Sequence, residues 1–124
     1  MGKFVVYKTD TGYLFHLKAG NGETIGTSEL YASLAACRMG VASVQEIAPF
    51  AALQDLTVAT AQSVENPKFE VYKDVAGAFR FRLKAANGEV VLASEGYTAK
   101  ASCEHGISSV RRNAANAILI EPVR

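Results

Sequence analysis

The chain has no tryptophan, two cysteines, two histidines and three prolines in 124 residues. No apolar run approaches the ~20 residues that a membrane-spanning helix needs. Each shortage closes off a class. Cys37 and Cys103 are too few for a secreted disulfide scaffold, so no disulfide is expected and a reducing compartment fits. His16 and His105 leave little material for acid–base or metal chemistry. Thirteen basic against twelve acidic residues give a net charge of +1, too small to steer the whole molecule towards nucleic acid or an acidic membrane. The opening residues alternate like a strand and lack a secretory apolar region, and Val6 stands where a Met-Gly lipidation motif needs Ser or Thr. The expectation is a cytoplasmic protein with no cofactor, no bound metal and no membrane partner.

What the chain has in abundance is itself. Phe15-His16-Leu17-Lys18-Ala19-Gly20-Asn21-Gly22-Glu23 returns as Phe81-Arg82-Leu83-Lys84-Ala85-Ala86-Asn87-Gly88-Glu89, 66 positions on. Ser28-Glu29-Leu30-Tyr31 returns as Ser94-Glu95-Gly96-Tyr97 at the same spacing, and Cys37, Gly40, Ser43 and Val44 return as Cys103, Gly106, Ser109 and Val110. A self-match at one fixed period means one structural unit used twice. Each copy alone is of a size at which a core is marginal, so a single core shared by both is expected.

The unit reads as β-β-β-α-β. Phe4 to Lys8 alternate with period two, as do Phe69 to Lys73; the second strand runs Tyr13 to Lys18 and again Phe79 to Lys84. Asn21-Gly22 and Asn87-Gly88 predict two-residue type I′ turns. A third strand then covers Glu23–Ser28 and Glu89–Ser94. Leu34, Cys37, Val41, Val44 and Ala48 fall at helical spacing, as do Cys103, Ile107, Val110 and Ala114. Ala32 or Ser33 is expected to open the first helix and Thr98 the second, and Pro49 to end the first. Gly40 and Gly106 in mid-helix cost about 1 kcal/mol each against alanine, which implies a close approach of helix to sheet. Short fourth strands are expected near Ala52–Val58 and Ala117–Glu121. Repeat one then spans about 2–58, a linker about 59–67 and repeat two about 68–123. The fold class is α+β: two tandem β(3)-α-β repeats forming one continuous, mainly antiparallel sheet, both helices on one face, related by a pseudo-twofold.

The pattern Phe-x-Phe-x-Leu-Lys-Ala-x-Asn-Gly-Glu, then Ser-Glu-x-Tyr, then Gly-Ile-x-Ser-Val-Arg stands here at Phe79 to Glu89, Ser94 to Tyr97 and Gly106 to Arg111. It resembles the YegP-like family of small bacterial proteins, and the first copy keeps the pattern at Tyr13 to Glu23, Ser28 to Tyr31 and Gly40 to Gln45. The resemblance implies tandem repeats, or dimers of single repeats, joined in one sheet with last strands exchanged between units. It also implies a family without an established function, so no catalytic or binding residues carry over.

No catalytic residue is assigned. His16 reads as an exposed strand residue and His105 as a helix-surface residue. Cys103 and His105, two positions apart on a helix, point to different sides and cannot share an ion. Glu29 and Glu95 read as structural acids at a turn or helix N-terminus, with Tyr31 and Tyr97 covering the end of the core and their hydroxyls in water. One feature rises above this background: the cationic alternation Arg80, Arg82 and Lys84, joined on the outward face by His16, Lys18, Tyr7 and Tyr72. Cations mixed with aromatic rings suit single-stranded nucleic acid, although the low net charge and lack of tryptophan weigh against it. The favoured expectation is a non-enzymatic module that binds a protein partner through the open sheet face or an edge strand. The alternatives are weak nucleic-acid binding by the basic strand, and a small-molecule pocket where the repeats meet near Glu29, Tyr31, Glu95 and Tyr97. A monomer or weak homodimer is expected.

Overall fold

The structure, a computed structural model, describes residues 2–59 and 62–123; positions 60 and 61 of the expected linker lie outside the described residues. Repeat one supplies β1 (Lys3–Lys8), β2 (Tyr13–Lys18), β3 (Thr24–Thr27), α1 (Leu34–Ile47) and β4 (Ala52–Asp55). Repeat two supplies β5 (Lys68–Lys73), β6 (Phe79–Lys84), β7 (Val90–Ala93), α2 (Lys100–Ala114) and β8 (Ile118–Val123). The strands form one sheet in the order β4-β5-β6-β7-β3-β2-β1-β8. Each repeat folds its first three strands into an antiparallel meander, and the two meanders meet edge to edge where Thr27 of β3 faces Ala93 of β7.

The fourth strand of each repeat is given to the other. β4 pairs in parallel with β5, Leu53 opposite Phe69, and β8 pairs in parallel with β1, Leu119 opposite Phe4. The expected α+β architecture with exchanged last strands is therefore the one observed. Strand four is shorter than expected in repeat one, because the Asp55 carboxylate accepts from the Thr57 amide at 2.9 Å and turns the chain away. In repeat two it runs on to Val123.

Alternation along the strands decides which face is buried. Phe4 and Val6, Phe15 and Leu17, Phe69 and Val71, and Phe81 and Leu83 all point to the helix side and are sealed from solvent. Two edge-on ring pairs, Phe4–Phe15 at 5.7 Å and Phe69–Phe81 at 6.1 Å, are the same contact made once per repeat. Against them lie Cys37, Val41 and Val44 of α1 and Cys103, Ile107 and Val110 of α2, so the two repeats share one core on one side of the sheet. Both cysteines are free, buried thiols. α2 is tied to the end of α1 by Arg111, whose Nη1 donates to the Ala48 carbonyl at 3.0 Å while its guanidinium covers the Phe69 ring at 4.8 Å. A cation at a helix C-terminus is favourably placed.

Three glycine positions have steric reasons. Gly40 and Gly106 leave room for tyrosines: a β-carbon on Gly40 would stand 2.3 Å from the Tyr31 hydroxyl, and on Gly106 2.7 Å from that of Tyr97. The close approach expected at these two helix positions is present, and the Tyr-Gly contact recurs in both repeats. Gly26 belongs to the pseudo-twofold centre, where a β-carbon would press within 2.6 Å of Leu92, its counterpart from repeat two. Two equivalent side chains cannot both occupy an axis, so one copy carries leucine and the other none.

Two local expectations are corrected. The Asn-Gly turns are not type I′: Gly22 (φ 88°) and Gly88 (φ 85°) have positive φ, and among the described residues no non-glycine does. Each loop has three residues, with Gly22 N–H donating to Ala19 O and Ala19 N–H to Glu23 O, and the pattern repeats at Ala85, Gly88 and Glu89. This is a type I turn closed by a glycine bulge. Asn21 and Asn87 act through their side chains, accepting from the amides of Glu23 and Glu89 at 3.0 Å. The second error concerns α2. Ser33 caps α1 by accepting from the Ala36 amide at 3.1 Å, but Thr98 lies one residue too early, and the cap position of α2 is Ala99, which makes no side-chain bond.

Two stability measurements follow from these contacts. Gly26→Ala is expected to cost about 1–3 kcal/mol by overpacking, and less when Leu92→Ala vacates the space. Denaturant melts of the four proteins should therefore show a double substitution milder than the summed singles. Ala99→Ser transplants the α1 cap and is expected to add about 1 kcal/mol, read as a rise in melting temperature.

Candidate binding face

The sheet face opposite the helices carries the other half of each alternation. In repeat two it presents Lys68, Glu70 and Tyr72 from β5 beside Lys84, Arg82 and Arg80 from β6, paired in that order. In repeat one the same places hold Lys3, Val5 and Tyr7 from β1 beside Lys18, His16 and Leu14 from β2. The two halves share a backbone and differ sharply in charge.

In repeat two Glu70 is the hub. Its residue is only 4% exposed, yet its carboxylate is contacted by Arg82 Nε at 2.6 Å, Lys68 Nζ at 3.1 Å and Lys84 Nζ at 3.3 Å. Burial pushes the Glu70 carboxyl upward, but the hydrogen bonds from Arg82, Lys68 and Lys84 outweigh it and hold the group at about 2. Gln54 of β4 extends the network, accepting from Lys68 Nζ at 2.5 Å and donating to the Gln62 carbonyl at 2.7 Å. Arg80 is held by Asp74 at 2.6 Å, and Arg82 also covers the Tyr72 ring at 4.3 Å. The three cations singled out in the sequence, Arg80, Arg82 and Lys84, are thus all paired with carboxylates of their own repeat. Sequence reasoning missed Glu70 and Asp74. The signal for Glu70 was available, since it shares the outward alternation with Lys68 and Tyr72.

Repeat one has no acid at the hub. Val5 replaces Glu70, and among the described residues Lys3 and Lys18 have no carboxylate partner. Tyr7 packs against His16 with ring centroids 4.7 Å apart, and Lys18 Nζ lies 5.8 Å from the Tyr7 ring. Burial and the nearby Lys18 charge lower the pKa of His16 from its ordinary value.

The remaining expected site residues separate. Tyr31 and Tyr97 close the core ends, bridging to Tyr13 and Phe79 and leaning on the helix glycines. Burial pushes the Tyr31 phenol up to about 12. Tyr31 also lines a groove of about 390 Å³ between α1 and the β6–β7 turn, with Met39, Gly40, Asn87 and Glu89. The repeats do meet at a concavity, therefore, but Glu29 and Glu95 do not line it. Neither helix has an acid in its first turn. The corner is knit by its serines instead: Ser28 Oγ accepts from Phe15 N–H at 2.8 Å and donates to Glu29 O at 2.7 Å, and Ser94 does the same between Phe81 and Glu95. His105 is exposed while Cys103 is buried, and among the described residues no group of three or more His, Cys, Asp or Glu side chains could hold a metal ion.

Two β(3)-α-β units in one sheet, each completed by the other's last strand, define a tandem-repeat α+β fold. The family model described as a domain of unknown function, DUF1508, matches residues 9–55 and 74–121, and the chain belongs to that family. It is 39% identical over 105 residues to the UPF0339 protein YegP of Escherichia coli O157:H7, covering 85% of this chain and 82% of that one. A UPF0339 protein of Treponema denticola is 57% identical over 54 residues, which are 44% of this chain and 93% of the relative, so the relative has room for one unit where this chain has two. The solution structure of YegP from E. coli, a protein of unknown function, superposes with a TM-score of 0.80 at 35% identity, covering 99% of this chain and 95% of that one. Among the described residues no helix is long and apolar enough to cross a membrane.

The Glu70 hub predicts a pH dependence. Because its pKa is depressed, its stabilisation is present above the ordinary glutamate range and is lost as pH falls from about 4.5 towards 2. Glu70→Gln is expected to lower stability by about 1–3 kcal/mol at pH 7, with the difference from the natural chain shrinking as pH drops through that window in a series of denaturant melts.

Proposed function

We propose that this protein is a non-enzymatic interaction module that receives an extended segment of a protein partner at the β8 edge and the adjoining repeat-one half of the open face. The observation that carries this is the edge itself. Among the described residues β8 ends the sheet with no strand beyond it. Ile118, 49% exposed, lies opposite Lys3, which has no carboxylate partner among those residues, and Leu119, 40% exposed, lies on the helix side opposite Phe4. An uncovered edge with apolar residues is a template for an added strand. The opposite edge, β4, is shorter, and the linker lies against it through Gln54 and Gln62.

The non-enzymatic part rests on the state of the candidate nucleophiles. Cys37 and Cys103 are buried in the core, and burial raises both thiols, that of Cys103 to about 11, far from a reactive thiolate at neutral pH. Two free, buried thiols also suit the reducing cytoplasm. Nucleic acid is the weaker reading, because Arg80, Arg82 and Lys84 already face Asp74 and Glu70, and Tyr72 is covered by Arg82. The repeat-interface groove offers a small ligand one acid, Glu89, and no cation among its lining side chains.

The test compares the natural chain with Ile118→Lys/Leu119→Lys, which places charges on the edge without touching the buried core. In pull-downs from a bacterial lysate, a protein retained by the natural chain and released by the double variant is the expected result. Retention that is equal for both, or absent for both, would overturn the reading. So would a natural chain that sediments as a dimer and a double variant that sediments as a monomer, since the edge would then serve self-association.

A further inference from the structure

The duplication supplies its own reference for a site whose carboxylate is present in one copy and replaced by valine in the other. In repeat two, Lys68 and Lys84 stand opposite each other and close on the Glu70 carboxylate between them, at 3.1 and 3.3 Å, with Gln54 of the exchanged strand at the side. In repeat one the corresponding lysines, Lys3 and Lys18, also stand opposite each other. The residue between them is Val5, and the exchanged strand contributes Ile120 in place of Gln54. Valine ends two bonds short of where a glutamate carboxylate would lie. The result is a pocket of about 290 Å³ lined by Lys3, Val5, Lys18, Ile120 and the β2–β3 turn.

We propose that this pocket is a carboxylate-binding site, filled by an acidic side chain of the extended segment that adds alongside β8. The proposal rests on the edge-strand reading above and specifies its chemistry. Two ammonium groups without a carboxylate partner among the described residues provide the charge, and charge-assisted bonds to a carboxylate are about twice as strong as neutral ones. Val5 and Ile120 provide an apolar floor for the methylenes of the incoming side chain. Glu70 shows within the same molecule that two lysines at these paired positions close on one carboxylate. A strand added to β8 lies about 10 Å from β1. Its acidic side chain therefore reaches inward over Ile120 to the β8 side of the pocket, where the long Lys3 and Lys18 side chains extend to meet it.

The test uses two peptides, acetyl-Val-Glu-Val-Thr-Val-amide and the same sequence with Gln for Glu, together with glutarate as a free dicarboxylate, each titrated into the isotope-labelled protein and followed by amide NMR shifts. The Glu peptide is expected to perturb β1, β8 and the β2–β3 turn and to bind at least about tenfold more tightly than the Gln peptide, a difference of about 1.4 kcal/mol. Val5→Glu should abolish that preference by supplying an internal carboxylate, as Glu70 does, whereas Val5→Gln fills the volume without the charge and should weaken both peptides alike. Lys18→Gln gives an independent loss of the preference should the Val5 variants fail to fold. Equal binding of the two peptides would overturn the carboxylate site while leaving the edge reading intact. Binding of glutarate at Lys3 and Lys18 with neither peptide bound would overturn the peptide source and the edge reading together. No binding by any of the three would overturn the proposal.

Discussion

Everything in this molecule depends on the exchange of the fourth strands. Each repeat builds a three-stranded meander and a helix, and then sends its last strand across to lie parallel to the first strand of the other. A three-stranded sheet under one helix has too little apolar area to close a core by itself. The meanders join directly through β3 and β7, and the exchanged strands tie each repeat to the far side of the other, so that four fully buried phenylalanines, two per repeat, lie under a common pair of helices. The exchange also moves the exposed edges of the sheet away from the meanders to β4 and β8. The edge on which the functional reading rests is therefore a product of the fold's own method of closure.

Duplication within one chain frees the halves to differ where a symmetric pair could not. At the centre, Leu92 fills the space that Gly26 leaves, a complementarity open only to two unlike copies. On the open face the divergence is electrostatic. Glu70 draws Lys68, Arg82 and Lys84 into a closed network, while Val5 leaves Lys3 and Lys18 without a carboxylate partner among the described residues. The same scaffold thus presents one half that is internally satisfied and one half that is not. Both differences sit at equivalent positions of the repeat, and neither disturbs the backbone around them.

The architecture was legible because the signals that encode it occur twice. The period-two runs of Phe4–Lys8 and Phe79–Lys84, the helical spacing of Cys37, Val41 and Val44, and the recurrence of the final strand each had an independent copy to check against. The local misreadings fell where propensity competes with loop length and side-chain geometry. Asn-Gly is common to two-residue and three-residue hairpins, and only the register of the flanking strands separates them. Thr98 has the right chemistry for a cap but the wrong position by one residue. The candidate site was harder to read because it depends on cross-strand partners. That Arg82 faces Glu70, and His16 faces Val5, is a fact of register, which no run of residues along one strand reveals.

The parallel pairing of β8 with β1 also sets an order of events during synthesis. Lys3–Lys8 leaves the ribosome more than a hundred residues before Ile118–Val123, the strand that will flank it. Until then the nascent chain holds a meander whose first strand has an unsatisfied edge, and closing so long a loop is slow compared with forming the local hairpins. β5 meets its parallel neighbour early, because β4 immediately precedes it in the chain. The two halves of a nearly symmetric protein are therefore completed at different times, the second-made half first.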